Sequence, residues 1–150
     1  MKLAEALNRR ADLQRKVSQI RERLTNNVKV QEGDEPAEKP NELFEELDSC
    51  LDELGELVTR INKTNQETLI DGETITGLIA QKDMCKLRHS VLRNALSEAN
   101  SLSNRYSRNE IKFVRTVDVG ELQKDVDDVA KQIRELDTKL QQANWTTDLV

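Results

Sequence analysis

The stretch VGELQKDVDDVAKQIRELDTKLQQA, residues 119–143, places Val119, Leu122, Val126, Val129, Ile133, Leu136, Leu140 and Ala143 at alternating steps of three and four. That rhythm is a coiled-coil heptad seam, one narrow apolar stripe on a long helix that needs another helix to cover it. The pattern recurs upstream. Leu3, Ala6, Leu13, Val17, Ile20 and Leu24 mark a first helix over 3–26, with Arg10 interrupting the stripe. A second helix beginning near Asn41 carries Leu43, Leu47, Cys50, Leu54, Leu57 and Ile61 and closes in the polar run Asn62 to Asn65. Phe44, Leu51 and Val58 widen its stripe to a width that suits two neighbours. A third helix is expected from a cap at Thr76 to about Asn104, with Leu78, Met84, Cys85, Leu87, Val91, Leu92, Leu96, Ala99 and Leu102 as its apolar side.

The segments between these helices carry their own signals. Gly33, Pro36 and Pro40 exclude a continuous helix from 27 to 40, where Val28 to Gln31 alternates like a short strand. Thr68 to Thr76 reads as two β-prone arms around Asp71-Gly72, a dipeptide suited to the positive φ angles of a tight hairpin. Ile111 to Val117 is β-branched, aromatic and alternating, and Asp118 followed by Glu121 resembles a capping box that opens the last helix. The expected fold is mainly α: an antiparallel long-helix bundle of about four helices, coiled-coil-like, with short β-hairpin and strand elements at its ends, forming a single domain over 1–150. Up-and-down connectivity puts Met1, the C-terminus and the 62–76 segment at one end. The other end gathers 27–40 and 104–118, where Val28 to Gln31 is free to pair with Ile111 to Val117.

Composition narrows the function classes. Charged residues make up 34% of the chain and aromatics 3%, which favours thin helix seams over a wide core or a large ligand cavity. The formal charge of −5 argues against a general nucleic-acid role, which rests on cationic neutralisation of phosphates. The charge is uneven: Lys2 to Lys29 holds eight basic and three acidic residues, Glu32 to Glu56 eleven acidic and one basic, so the first two helices attract. No stretch approaches the roughly 20 apolar residues of a membrane span, and the amphipathic start lacks a signal-peptide core, so a cytoplasmic protein is expected. Cys50 and Cys85 read as buried free thiols. His89, the one histidine, has no Cys or His at ligand spacing, so no metal, cofactor or His-based dyad is implied.

The candidate binding residues cluster at the 104–118 end: Arg105, Tyr106, Arg108, Glu110, Lys112 and Arg115, with Gln31 and Glu32 from the first loop. Such a set suits an anionic small ligand or a nucleic acid, the arginines holding a phosphate and Tyr106 stacking a base. The same arginines equally suit a structural network with Glu32, Asp34 or Glu110. Glu110 and Glu32 lack any spacing that supports general acid-base work, so no enzyme is expected. Trp145 follows the last heptad and is expected to pack over the end near Asn62 or against a second subunit.

Five blocks carry a resemblance: Met1 to Leu7, Val30 to Pro36, Arg60 to Asn65, Arg105 to Val114 and Ala143 to Leu149 resemble the signature blocks of a family of bacterial proteins often labelled septicolysin. The resemblance implies a helical fold and, through its label, a cytolysin, and carries over no catalytic residues. Against a pore, the hairpin arms of about four residues fall short of the roughly 9–11 of a spanning strand. The expected function is therefore a structural or interaction protein, a bundle that self-associates through its heptads as a dimer or ring of dimers and docks partners on its ends or flanks, with the anionic-ligand or nucleic-acid binder and the pore-forming cytolysin as alternatives.

Overall fold

A computed structural model describes residues 1–101 and 111–150. Four helices, α1 (Leu3–Asn27), α2 (Pro40–Glu67), α3 (Ile75–Asn100) and α4 (Val119–Thr146), are joined between α2 and α3 by the hairpin of β1 (Leu69–Ile70) and β2 (Glu73–Thr74). The chain forms two compact units, one of 1–75 with 142–150, the other of 76–141.

In the first unit α1 and α2 form an antiparallel hairpin with a strict seven-residue period. Ala6, Leu13, Ile20 and Asn27 are buried along α1, and Leu43, Cys50, Leu57 and Thr64 along α2. We designate these d positions; Leu3, Arg10, Val17 and Leu24, and Leu47, Leu54 and Ile61, then occupy a. Cys50 behaves as a small apolar side chain, its thiol directed at the Leu13 carbonyl at 3.6 Å. Asn27 ends the α1 stripe with a polar group whose demands are met: its Nδ2 donates to the Arg23 carbonyl at 2.8 Å and its Oδ1 accepts from the Glu38 amide at 3.0 Å. That second bond ties the loop back to the helix before Pro40 opens α2.

The two termini meet at the far end of this unit. Leu3 N donates to Thr147 O and Leu149 N to Met1 O, both at 2.9 Å, framing an antiparallel bridge between Lys2 and Asp148. The buried Thr64 hydroxyl donates to the Arg60 carbonyl at 2.8 Å and accepts from Val150 N at 3.0 Å. Met1, the C-terminal segment and the end of α2 therefore share one end, as up-and-down connectivity required. The adjoining hairpin pairs Leu69 with Thr74 and Ile70 with Glu73, and its turn residues Asp71 and Gly72 have φ of 53° and 87°. Both values fall in the left-handed region that a tight hairpin turn demands.

In the second unit α3 and α4 run antiparallel: Lys82 pairs with Asp137 while Cys85 approaches Gln132, so one sequence rises as the other falls. Along α3, Leu78, Lys82, Cys85, His89, Leu92, Leu96 and Ala99 are all buried or half-buried at heptad spacing, and Lys82 and Cys85 among them reach α4. Met84, Leu87 and Val91, expected on the covered side, are exposed instead. Lys82, Cys85 and His89 occupy seam positions that a count of apolar residues assigns elsewhere. The last helix opens as expected, Glu121 N donating to the Asp118 carboxylate at 3.0 Å.

Two strands expected from alternation are replaced by irregular chain. Val28 keeps helical angles, donates its amide to Leu24 O at 3.0 Å and closes α1, and Gln31 to Asp34 makes a turn around Gly33 at φ 91°. Residues 111–116 form neither helix nor strand, and Ile111, Phe113 and Val114 are exposed. Alternation marks a strand only where a partner edge meets its amides and carbonyls. Thr76, expected as a cap, lies inside α3, which begins one residue earlier at Ile75, whose amide donates to Thr68 O at 3.1 Å.

Candidate interaction surface

The heptad frame of α1 and α2 separates the two edges of their hairpin by chemistry. The g positions form one edge: Lys2, Arg9, Lys16 and Arg23 on α1, Glu46, Glu53 and Arg60 on α2. In an antiparallel pair these positions face one another across the seam. Arg9 accordingly meets Glu53 and Lys16 meets Glu46 at 3.4 Å. Arg23 lies between Glu46 at 3.4 Å and Glu38, to which its Nε donates at 3.1 Å. Those hydrogen bonds raise the Arg23 guanidinium further and hold the Glu38 carboxylate below its ordinary range, against a smaller opposing effect of burial. At the last step the pattern places like charges, Lys2 and Arg60, on the same edge. The C-terminal segment satisfies both, Lys2 Nζ lying 2.8 Å from Asp148 Oδ1 and Arg60 Nε donating to Val150 O at 2.9 Å.

The opposite edge carries the e positions: Leu7, Gln14, Arg21 and Val28 on α1, Phe44, Leu51 and Val58 on α2. Val17, Leu24, Val28, Phe44, Leu47 and Leu51 line an open apolar groove of about 500 Å³ here, with Arg21 in its wall. Phe44 is 47% and Leu51 45% exposed, although both sit beside the buried seam. A second apolar face lies on α3, where Ala80, Met84, Leu87 and Val91 follow steps of four, three and four, with Met84, Leu87 and Val91 59%, 60% and 67% exposed. Met84 also lines a groove of about 730 Å³ between α3 and α4, with Cys85, Gln132, Glu135 and Leu136.

Of the residues singled out as a binding cluster, Arg105, Tyr106, Arg108 and Glu110 lie outside the described residues. Gln31, Glu32 and Lys112 are exposed. Arg115 is engaged structurally: its Nε donates at 2.7 Å to the carbonyl of Ala99, one of the acceptors left open at the end of α3. Cys50 and Cys85 are both free thiols, Cys50 buried and Cys85 half-buried. Trp145 falls in the last turn of α4, which runs past the expected end at 143, and is 59% exposed. Among the described residues no helix is long and apolar enough to cross a membrane.

The division of α1 and α2 into a charged and an apolar edge was readable in the sequence once Ala6, Leu13, Ile20 and Asn27 were taken as one register position. The signal is the run of charges beside it, Arg9, Lys16 and Arg23 facing Glu46 and Glu53. The α3 face was obscured because two stripes at heptad spacing overlap there, and the buried one includes Lys82 and His89.

The sequence pattern of a group described as "Family of unknown function (DUF6847)" matches residues 10–149. The crystal structure of a functionally unknown conserved protein from Corynebacterium diphtheriae is similar over 100% of this chain and 99% of its own, at 39% identity and a TM-score of 0.93. Neither carries the septicolysin label. The chain matches no curated protein.

Proposed function

The chain belongs to the DUF6847 family of unknown function, and from that premise we propose that it acts as a structural or interaction protein that self-associates and docks partners through its helix faces, rather than as an enzyme. One observation carries the reading. The α3 face of Met84, Leu87 and Val91 is apolar, regularly spaced and more than half exposed. A stripe of that kind on a long helix is the half-interface of a helix pair, and its exposure costs solubility unless a partner covers it. The oligomer is a dimer by default or a ring of dimers, since closed symmetry limits further growth. A cytoplasmic setting belongs to the same reading, supported by two cysteines that are both free.

Native mass spectrometry of the untagged protein from its own host tests this. A homo-oligomer at micromolar concentration, with or without a bound protein, is the expected result. A monomer carrying a small added mass that disappears in Arg105→Ala would replace the reading with that of an anionic-ligand binder.

A further inference from the structure

We infer that the apolar edge of the α1–α2 hairpin is the self-association surface and that its occupant is the same edge of a second copy, set so that α1 of one chain lies over α2 of the other. This rests on the self-association reading and places the contact between copies on this edge, leaving the α3 face of Met84, Leu87 and Val91 to a docked partner.

Three observations carry it. The first is that the hairpin's two edges are chemically unlike. Along the g edge the cations of α1 are already matched by Glu38, Glu46 and Glu53. The e edge presents Val28, Phe44 and Leu51 at heptad spacing over a groove open to solvent. An antiparallel pair with one closed and one apolar edge has the form of half a four-helix bundle, which two such hairpins complete by stacking face to face.

The second is charge. On the open side Arg21 stands in the groove wall on α1. Glu45, Asp48 and Asp52 lie on the outer flank of α2 in the same heptad frame, at f and b. None of these four takes part in an ion pair of 4.0 Å or less among the described residues. Two stacked hairpins admit two two-fold arrangements. A two-fold axis across the helices sets α2 on α2 and brings the acidic flanks together. An axis along the helices sets α1 on α2 of the other copy at the same height, and with Lys16 level with Glu46 it brings Arg21 nearest to Glu45 on the acidic flank. Like charges in register are costly and opposite charges set orientation, so the second arrangement is selected.

The third is steric. Ala11, Ser18 and Thr25 stand on α1 at the b positions beside this edge, and Gly55 stands at b on α2. A Cβ at Gly55 would meet nothing within 4 Å, so its small size serves no contact inside the chain. Small residues along the flanks let a second pair of helices approach closely.

Sedimentation of the full chain, with circular dichroism of each variant, tests the assignment. The wild type is expected to be a dimer. Phe44→Glu and Leu51→Glu are expected to weaken association at least about 100-fold with helicity unchanged, because both positions are half exposed in the single chain. Arg21→Glu is expected to weaken it by about 10-fold and the double variant Arg21→Glu, Glu45→Arg to restore it, a readout independent of whether the glutamate variants fold. A dimer that survives Phe44→Glu and Leu51→Glu but is lost in Leu87→Glu would overturn this surface and keep the self-association reading. A monomeric wild type would overturn both. Failure of the charge reversal to restore association would overturn the α1-over-α2 arrangement.

Discussion

Arg9 grips Glu53 with both ends of its guanidinium, Nε 2.7 Å from Oε1 and Nη2 2.9 Å from Oε2. One heptad along, Lys16 faces Glu46. These pairs hold the register of the hairpin more than its free energy, since both partners of the first are about half exposed. Arg9→Ala is expected to cost only about 0.5 kcal/mol at low salt and less at high salt. Chemical denaturation at two salt concentrations checks this; a salt-independent cost above about 2 kcal/mol would contradict it.

Ile20 is fully buried at the centre of the seam. Ile20→Ala is expected to cost about 2–5 kcal/mol through lost transfer energy and an unfilled cavity. Phe44→Ala removes a larger side chain from the open edge and is expected to cost less than half as much in the isolated chain. The order of the two unfolding midpoints decides: the reverse order would mean that the e edge is core.

The Thr64 hydroxyl, fully buried, accepts the Val150 amide and joins it to the end of α2. Thr64→Val keeps the shape and removes both of its hydrogen bonds, leaving that amide without its acceptor. The expected cost is about 1–3 kcal/mol, together with faster hydrogen exchange at Leu149 and Val150. Exchange unchanged at those two amides would show that the C-terminal segment is held without the Thr64 hydroxyl, by its backbone bonds to Met1 and Leu3 and by the side chains of Lys2 and Arg60.

Among the described residues three carboxylates are held below their ordinary range. Hydrogen bonds from Arg23 hold Glu38 below its ordinary 4.5, and those from Lys82 and Lys2 hold Asp137 and Asp148 below 3.8. A lowered pKa in the folded state means that the ionised form binds its partner. The stabilisation is therefore complete at neutrality, begins to fall as pH drops below these ordinary values and is gone below the folded ones. Melting temperature is expected to hold from neutral pH to about 4.5 and then decline, with a shallower decline in Glu38→Gln. A profile for Glu38→Gln that parallels the wild type would remove Arg23–Glu38 from the account.

The 3.6-residue rhythm was legible because a helix repeats its environment every turn, so the stripes of α1, α2 and α4 give helix number, length and direction. The hairpin at Asp71-Gly72 was legible for a local reason, the positive φ its two residues adopt. What escaped was non-local. Val28 to Gln31 and Ile111 to Val117 alternate as strands do, yet strand formation depends on a partner edge that alternation cannot supply. On α3 a count of apolar residues leaves out Lys82 and His89, whereas the long stem of a lysine lets it stand half-buried and reach Asp137. The binding cluster was built from Arg105 to Arg115, of which Arg115 is bonded to Ala99 O. The charged and apolar edges of α1 and α2 needed one register for both helices, which a stripe read helix by helix does not fix.

The stitched hairpin can be treated as a ruler graduated in sevens. Removing residues 10–16 from α1 and 47–53 from α2 together would bring Arg9 to the place of Lys16, opposite Glu46, with the seam still in phase. Removing either segment alone would leave one helix a heptad longer than its mate and the terminal clamp around Thr64 out of reach. Length in this hairpin is thus a paired quantity: it changes without loss of fold only in matched steps of seven on both arms.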